Sequence, residues 1–119
     1  MTAQDIEALV FTTDPALYAH RKEVLQFAVA KRLLTIGDTF AWWSGVEPQS
    51  LLTYEAPFDV LMRQASSFVE RILWEGARPG DLPIELPSRF KFTVSLKTAK
   101  AIGLTIPKSI LLRADQVIQ

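Results

Sequence analysis

Short apolar runs alternate with longer amphipathic stretches along this chain, and that alternation constrains the fold more than any other feature. Residues 8–13 form a continuous apolar run rich in β-formers, which is typical of a strand covered on both faces. Asp14 and Pro15 follow, and they predict the N-cap and first residue of a helix that extends to residue 32. Strand–helix alternation of this kind predicts an α/β fold of three layers, with a mostly parallel sheet flanked by helices.

The rest of the chain continues the pattern. Strands are predicted at 34–36 and 51–54, and a strand with one solvated face is predicted at 90–96, where apolar and polar residues alternate. Three prolines and a glycine make the segment before that strand extended. We therefore predict a single lobe over 1–119, which contains a βαβ(α)β core at 1–57, a long helix at 58–76, a Pro-rich connector at 77–89, and a returning strand with terminal helices at 90–119.

Charge and cysteine content exclude several classes of function. The 13 basic and 13 acidic residues cancel, so the chain lacks the basic field that nucleic-acid binding requires. It contains no cysteine, which excludes disulfides, thiol catalysis and thiolate metal sites. The first residues are acidic and no long apolar segment follows them, so we expect no export signal and a cytoplasmic location if the chain is made as written.

The sequence offers no pattern typical of an active site. The single histidine, His20, lies in a predicted helix beside basic residues, without the spacing of a metal or catalytic partner. The five glycines are scattered, and none opens a helix as a phosphate-binding loop does. An enzyme would need a metal or cofactor for which the sequence supplies no ligand set. We predict no catalytic residue, no metal site and no cofactor.

Two strand ends are candidates for ligand binding. Thr13 with Asp14, and Tyr54 with Glu55, follow predicted strands at their carboxyl ends, where ligands collect in open α/β sheets. An aspartate there can meet an ammonium or hydroxyl group, and a tyrosine can stack and hydrogen-bond. The alternative is structural: Asp14 caps the helix and Tyr54 packs.

The C-terminal third carries an extended motif. It reads GARPGDLPIELP over 76–87, FKFTVS over 90–95, LKTAKAIGLTIP over 96–107 and LRAD over 112–115. This run resembles the end of the ABC-transporter substrate-binding protein family often labelled uncharacterised, whose better-known relatives include tryptophan- and tyrosine-binding lipoproteins. Upstream, Asp14-Pro15 and Leu52-Thr53-Tyr54 are collinear with family residues, so the resemblance covers nearly the whole chain.

The resemblance implies one lobe of a type I periplasmic-binding-protein fold and solute recognition for ABC-type import, without catalysis. The implied partners are a small-molecule solute, with aromatic amino acids as the first to test, and an ABC permease. The implied location is periplasmic or at the cell envelope. Asp14 and Tyr54 match family positions, Asp14 for a polar ligand group and Tyr54 for stacking. Glu55 stands where the family usually has glycine, which would let backbone approach a ligand more closely.

Full-length members of that family have an N-terminal lobe and an export signal, so we expect this chain to be a C-terminal lobe without its N-terminal lobe. By analogy, the long predicted helix would be an arm whose docking surface is absent. The alternative is a truncated structural or dimerisation module that no longer binds a solute. We predict a homodimer that covers the apolar stripe of the arm, formed by Leu61, Phe68, Val69, Ile72 and Leu73.

Overall fold

The computed structural model describes residues 6–12, 14–37 and 45–119. Within these ranges the chain forms five strands, five helices and one 3₁₀ turn. The strands are β1 (Ala8–Val10), β2 (Leu34–Gly37), β3 (Leu52–Glu55), β4 (Lys91–Ser95) and β5 (Gln116–Ile118). The helices are α1 (Pro15–Ala19), α2 (Arg21–Ala30), α3 (Phe58–Leu73), α4 (Leu96–Ile102) and α5 (Lys108–Leu111), and the 3₁₀ turn is Pro79–Asp81.

The five strands form one sheet in the order β1-β2-β3-β4-β5. β1 pairs with β2, β2 with β3 and β4 with β5 in parallel, whereas β3 and β4 are antiparallel. The prediction of an α/β fold with a mostly parallel sheet and flanking helices is confirmed. The short helix expected between the second and third predicted strands, near residues 40–45, lies mostly outside the described residues.

Two helices differ from the prediction. The helix expected from Pro15 is split at His20, whose φ of −104° and ψ of 16° end α1, with its N–H bonded to the Leu17 carbonyl. The last helix stops at Leu111, and the chain then forms β5, which the sequence pattern did not predict. Asp115 leads into this strand because its N–H donates to the Phe92 carbonyl and its carboxylate accepts from the Phe92 N–H, both at 2.8 Å.

Strand β4 also differs from the prediction, because the expected solvated face is covered. Val94 and Thr93 project to opposite faces of the sheet, and both are buried. The physical reason is that both faces of this strand are packed inside the fold, so the hydroxyl side chains of Thr93 and Ser95 fall on a covered face. An alternating pattern here marks buried hydroxyl side chains and not contact with water.

The chain divides into two compact units. Unit 1 consists of Met1–Glu55 and Lys91–Gln119, and unit 2 consists of Ala56–Phe90. The core of unit 1 has two clusters. Phe11, Leu25 and Val46 form the first, and Leu51, Ala99 and Ile102 form the second. Burial of each large apolar side chain stabilises the fold by about 1.5–3 kcal/mol. The domain boundaries predicted from the sequence stay a prediction.

Buried hydroxyl groups tie α4 to the strands of unit 1. The Ser95 hydroxyl caps α4 by accepting from the Thr98 N–H at 3.1 Å, and it donates to the Thr98 hydroxyl at 3.1 Å. The Thr98 hydroxyl in turn donates to the Gln49 carbonyl at 2.8 Å. Both side chains are buried, so a group that lost its partner would keep its desolvation cost.

Unit 2 consists of α3 and the extended segment that follows it. Gly76 has a φ of +70°, the left-handed region that favours glycine, just after the helix ends. The segment then runs back beside α3: the Gln64 side-chain amide donates to the Leu86 carbonyl at 3.1 Å, and Arg71 lies 3.5 Å from the Glu85 carboxylate.

We expect Ser95→Ala to lower the free energy of unfolding by about 1–2 kcal/mol, because it removes a helix cap and leaves Thr98 without its buried partner. Urea unfolding followed by circular dichroism measures the change. Ser109→Ala, at an exposed position of α5, is the control and should stay within about 0.5 kcal/mol of the parent. Equal stability of the two variants would contradict the role given to the cap.

Candidate ligand-binding edge of the sheet

Three of the four site residues predicted from the sequence lie at one edge of the sheet. Because β1, β2 and β3 are parallel and β3 is antiparallel to β4, the carboxyl ends of the first three strands meet the amino ends of β4 and β5 at this edge. Asp14 follows β1, and Tyr54 and Glu55 end β3. Thr13 lies outside the described residues. In open α/β sheets this is the edge at which ligands bind.

Tyr54 presents an aromatic surface at this edge. Its side chain is 57% exposed, although it belongs to an interior strand. Phe92 lies directly opposite in the β3–β4 register, and the two rings meet edge to face with centroids 6.4 Å apart. Such a pair holds the tyrosine ring in a defined orientation while part of its surface remains available. The arrangement can stack against a planar ligand group and hydrogen-bond through the phenol.

Asp14 is the N-cap of α1. Its Oδ1 accepts from the Ala16 N–H at 2.9 Å and from the Leu17 N–H at 3.0 Å. Asp14 therefore has the structural role that was the alternative to ligand binding: it caps the helix. The capping bonds use Oδ1, and the residue is exposed, so Oδ2 is not needed for the cap. A ligand ammonium or hydroxyl group could reach that oxygen without displacing the cap.

Glu55 projects to the opposite face of the sheet from Tyr54, because successive side chains of a strand alternate. It lies opposite Lys91 in the β3–β4 register, where opposite charges favour the pairing of the strands. The structure thus brings Tyr54 together with Phe92, and Glu55 with Lys91. Sequence reasoning missed both partners, since only the strand register joins them.

Other features of the surface add little to this site. An open depression of about 450 Å³ is lined by α4 and the loop after it, including Leu96, Lys100 and Leu104, but by none of the candidate residues. In the described ranges, no three His, Asp or Glu side chains converge on a point that could hold a metal ion. No helix among the described residues is long and apolar enough to cross a membrane.

No model of a known protein family matches this sequence, and no curated protein matches it. Solved structures do match. A conserved domain protein from Vibrio cholerae superposes with a TM-score of 0.78 at 22% identity, over 93% of this chain and 36% of that one. An ABC domain in complex with L-Trp from Streptococcus pneumonia gives a TM-score of 0.74 at 24% identity, over 97% and 38%.

A third match is a ligand-free, open substrate-binding protein with adhesive properties from Clostridium difficile. Its TM-score is 0.63 at 19% identity, over 94% of this chain and 36% of that one. The chain therefore spans a little more than a third of the length of each of the three proteins. At these identities the likeness shows the fold: the chain has a fold like that of substrate-binding proteins.

Two variants separate the two roles of Asp14. Asp14→Ala should lower the free energy of unfolding by about 1 kcal/mol, because the first N–H groups of α1 lose their acceptor. Asp14→Ser retains a capping oxygen and should stay within a few tenths of a kcal/mol of the parent, roughly the spread among good N-caps. Urea unfolding of the three proteins checks both values. If Asp14→Ser were as unstable as Asp14→Ala, the capping hydrogen bonds would not be what Asp14 contributes.

Proposed function

We propose that this chain is a C-terminal lobe of the solute-recognition component of an ABC-type import system, and that it has no catalytic role. One observation carries the proposal: Tyr54, more than half exposed and in contact with Phe92, lies at the end of the sheet where ligands bind in open α/β folds. The fold of the chain supports it, since one protein of that fold was solved with L-Trp and another is a substrate-binding protein. A small molecule such as an amino acid is the ligand class we propose.

We propose a part of such a ligand for each of two candidate residues. The face of Tyr54 suits a planar or apolar group, and Oδ2 of Asp14 suits an ammonium group. An ABC permease is the proposed macromolecular partner, and the cell envelope is the proposed site of action. Both follow from the resemblance of the sequence motif.

A single lobe should bind such a ligand weakly. Small-molecule sites bury most of the ligand surface, and two-lobed binding proteins achieve this by closing both lobes around it. The residues described at this edge of the sheet would contact only one side of a ligand. Since the three solved relatives are nearly three times as long as the aligned region, a second wall would come from residues outside this chain or from a second copy.

A thermal-shift screen against L-amino acids and small organic acids tests the proposal. A ligand at about a hundred times its dissociation constant stabilises the protein by roughly 2.7 kcal/mol, which raises the melting temperature by several degrees. Tyr54→Ala should weaken binding at least about tenfold, because the stacking surface is lost. Asp14→Ser should do the same for a ligand with an ammonium group while leaving the cap in place.

The control for Tyr54→Ala is Phe27→Ala, which removes a similarly exposed aromatic side chain from α2. Binding should be unchanged in that variant. Equal losses in the two variants would contradict a site at Tyr54, and a complete absence of stabilising solutes would contradict solute recognition by this chain.

A second candidate function is a dimerisation module that binds no solute, and one observation favours it. No residue of Ala56–Phe90 is buried, so the apolar side chains of unit 2 lack an interior of their own. Light scattering distinguishes the candidates when it is run beside the solute screen. A stable dimer without any solute response supports the dimerisation module, and a solute response supports recognition.

A further inference from the structure

The surface of α4 and the loop after it contains an open depression of about 450 Å³. Leu96, Ala99 and Lys100 line it from the helix, and residues 103–106 line it from the loop. All of them belong to the motif LKTAKAIGLTIP at 96–107, which contributes no residue to the candidate ligand site. Solute recognition at the edge of the sheet therefore leaves this feature of unit 1 unexplained.

A left-handed residue at the end of α4 shapes the depression. Gly103 has a φ of +75°, and the Leu104 N–H donates to the Ala99 carbonyl at 2.8 Å, as in a Schellman motif. The turn places residues 104–106 beside α4, where Ile106 packs against the second core cluster. A Cβ added at Gly103 would meet nothing within 4 Å, so the space at the turn is open. The concave shape is thus fixed by backbone geometry and by core packing.

The depression is largely apolar and in contact with water. Leu96 and Ile106 are half-buried, and Leu104 is 39% exposed. A concave surface with aliphatic walls suits an inserted apolar side chain. Because the depression is open, it would leave much of a small solute exposed, whereas small-molecule sites bury most of their ligand. The shape favours a protein segment that places one apolar side chain in the depression.

The chain around the depression carries only positive charge. Residues 96–113 contain four basic residues and no acidic one. The rest of the chain carries nine basic and thirteen acidic residues, which is a net charge of −4 against +4 in this segment. The zero net charge of the whole chain therefore conceals a basic segment, and the field of such a segment attracts anionic groups.

Three lysines place this charge at the depression. Lys100 lines it, and Lys97 lies one turn earlier on the neighbouring flank of α4. Lys108 follows the lining loop, with its Cα within about 7 Å of that of Ile106. Lys97 pairs with Glu47 at 3.1 Å, whereas Lys100 and Lys108 are exposed and have no ion pair in the part of the chain that the structure describes. These two ammonium groups can therefore pair with carboxylates of a partner.

We propose that this depression is a docking site for an acidic segment of another protein. An apolar side chain of that segment packs against Leu104 and Ile106, and its carboxylates pair with the lysines beside them. Charge complementarity determines the partner, because the basic segment attracts acidic chains and repels basic ones. An anionic membrane fits less well, since a bilayer surface does not fill a concave site and two exposed lysines hold a chain of zero net charge weakly.

The inference does not depend on the solute site. None of the candidate ligand residues lines the depression, so docking and solute binding can be measured separately. In the proposed import system the acidic segment would belong to a protein that the lobe contacts, and this is the only clause that rests on the proposed function.

A titration followed by NMR tests the docking site, because the chain of 13.4 kDa gives a resolved signal for each backbone amide. The probe is a short amphipathic peptide with leucines on one helical face and glutamates elsewhere. Its matched control has glutamine in place of each glutamate. The glutamate peptide should shift the amide signals of residues 96–108 and leave those of Tyr54 and Phe92 in place. Added salt should weaken this binding, because the contacting charges are exposed.

Charge reversal in the depression should weaken binding of the glutamate peptide. Lys100→Glu should raise the dissociation constant at least about fivefold, because an attraction becomes a repulsion, whereas Lys100→Arg should stay close to the parent. The control is Lys22→Glu, which makes the same change of charge at an exposed position of α2 and should leave the constant within about twofold. Circular dichroism of each variant confirms that the fold is retained.

Several outcomes would overturn the docking site. These are equal binding of the glutamine and glutamate peptides, equal weakening in Lys100→Glu and Lys22→Glu, and no shift at millimolar peptide. Vesicles of phosphatidylglycerol that shift the same amides when the peptide does not would assign the depression to a membrane instead. Shifts of these amides on dilution of the chain alone, without a response to the peptide, would assign it to a second copy. The thermal-shift screen for solutes is unaffected by any of these results.

Discussion

The antiparallel pairing of β3 with β4 is the contact on which the rest of unit 1 depends. It sets Thr53 opposite Thr93 and Glu55 opposite Lys91, which are residues on either side of unit 2 in sequence. The parallel strands β1, β2 and β3 come from one part of the chain and β4 and β5 from another, so this pairing alone joins them into one sheet. Loop-closure entropy rises only slowly with loop length, which makes so long an intervening segment acceptable.

The pairing of β3 with β4 positions the candidate site at one end of the two strands and a set of buried contacts at the other end. At one end of the paired strands, Phe92 supports the exposed ring of Tyr54. At the other end, Ser95 finishes β4 and caps α4, whose Thr98 reaches back to the Gln49 carbonyl. A candidate residue at the end of an interior strand is positioned by a rigid scaffold, which is what a selective site would require.

Unit 2 differs from unit 1 because it has local contacts but no buried core. Its helix is strongly amphipathic and its segment is held by Gln64 and Arg71, yet no residue from Ala56 to Phe90 is buried. Local interactions of this strength contribute a few tenths of a kcal/mol to about 1.5 kcal/mol each, and burial of apolar surface supplies most of the stability of a domain. Unit 1 obtains that burial from its own strands and helices, whereas unit 2 has no buried residue of its own.

By itself the sequence determined the elements whose cause is local. The apolar run before Asp14, the cap that Asp14 provides, and the helical spacing after Pro57 all act within a few residues, and they predicted the α/β class correctly. Only the tertiary structure decided the β3–β4 register, the covering of Thr93 and Ser95, the strand after Asp115, and the contact of Tyr54 with Phe92. These depend on pairing between distant segments, and no periodicity within one segment encodes which neighbour it will meet.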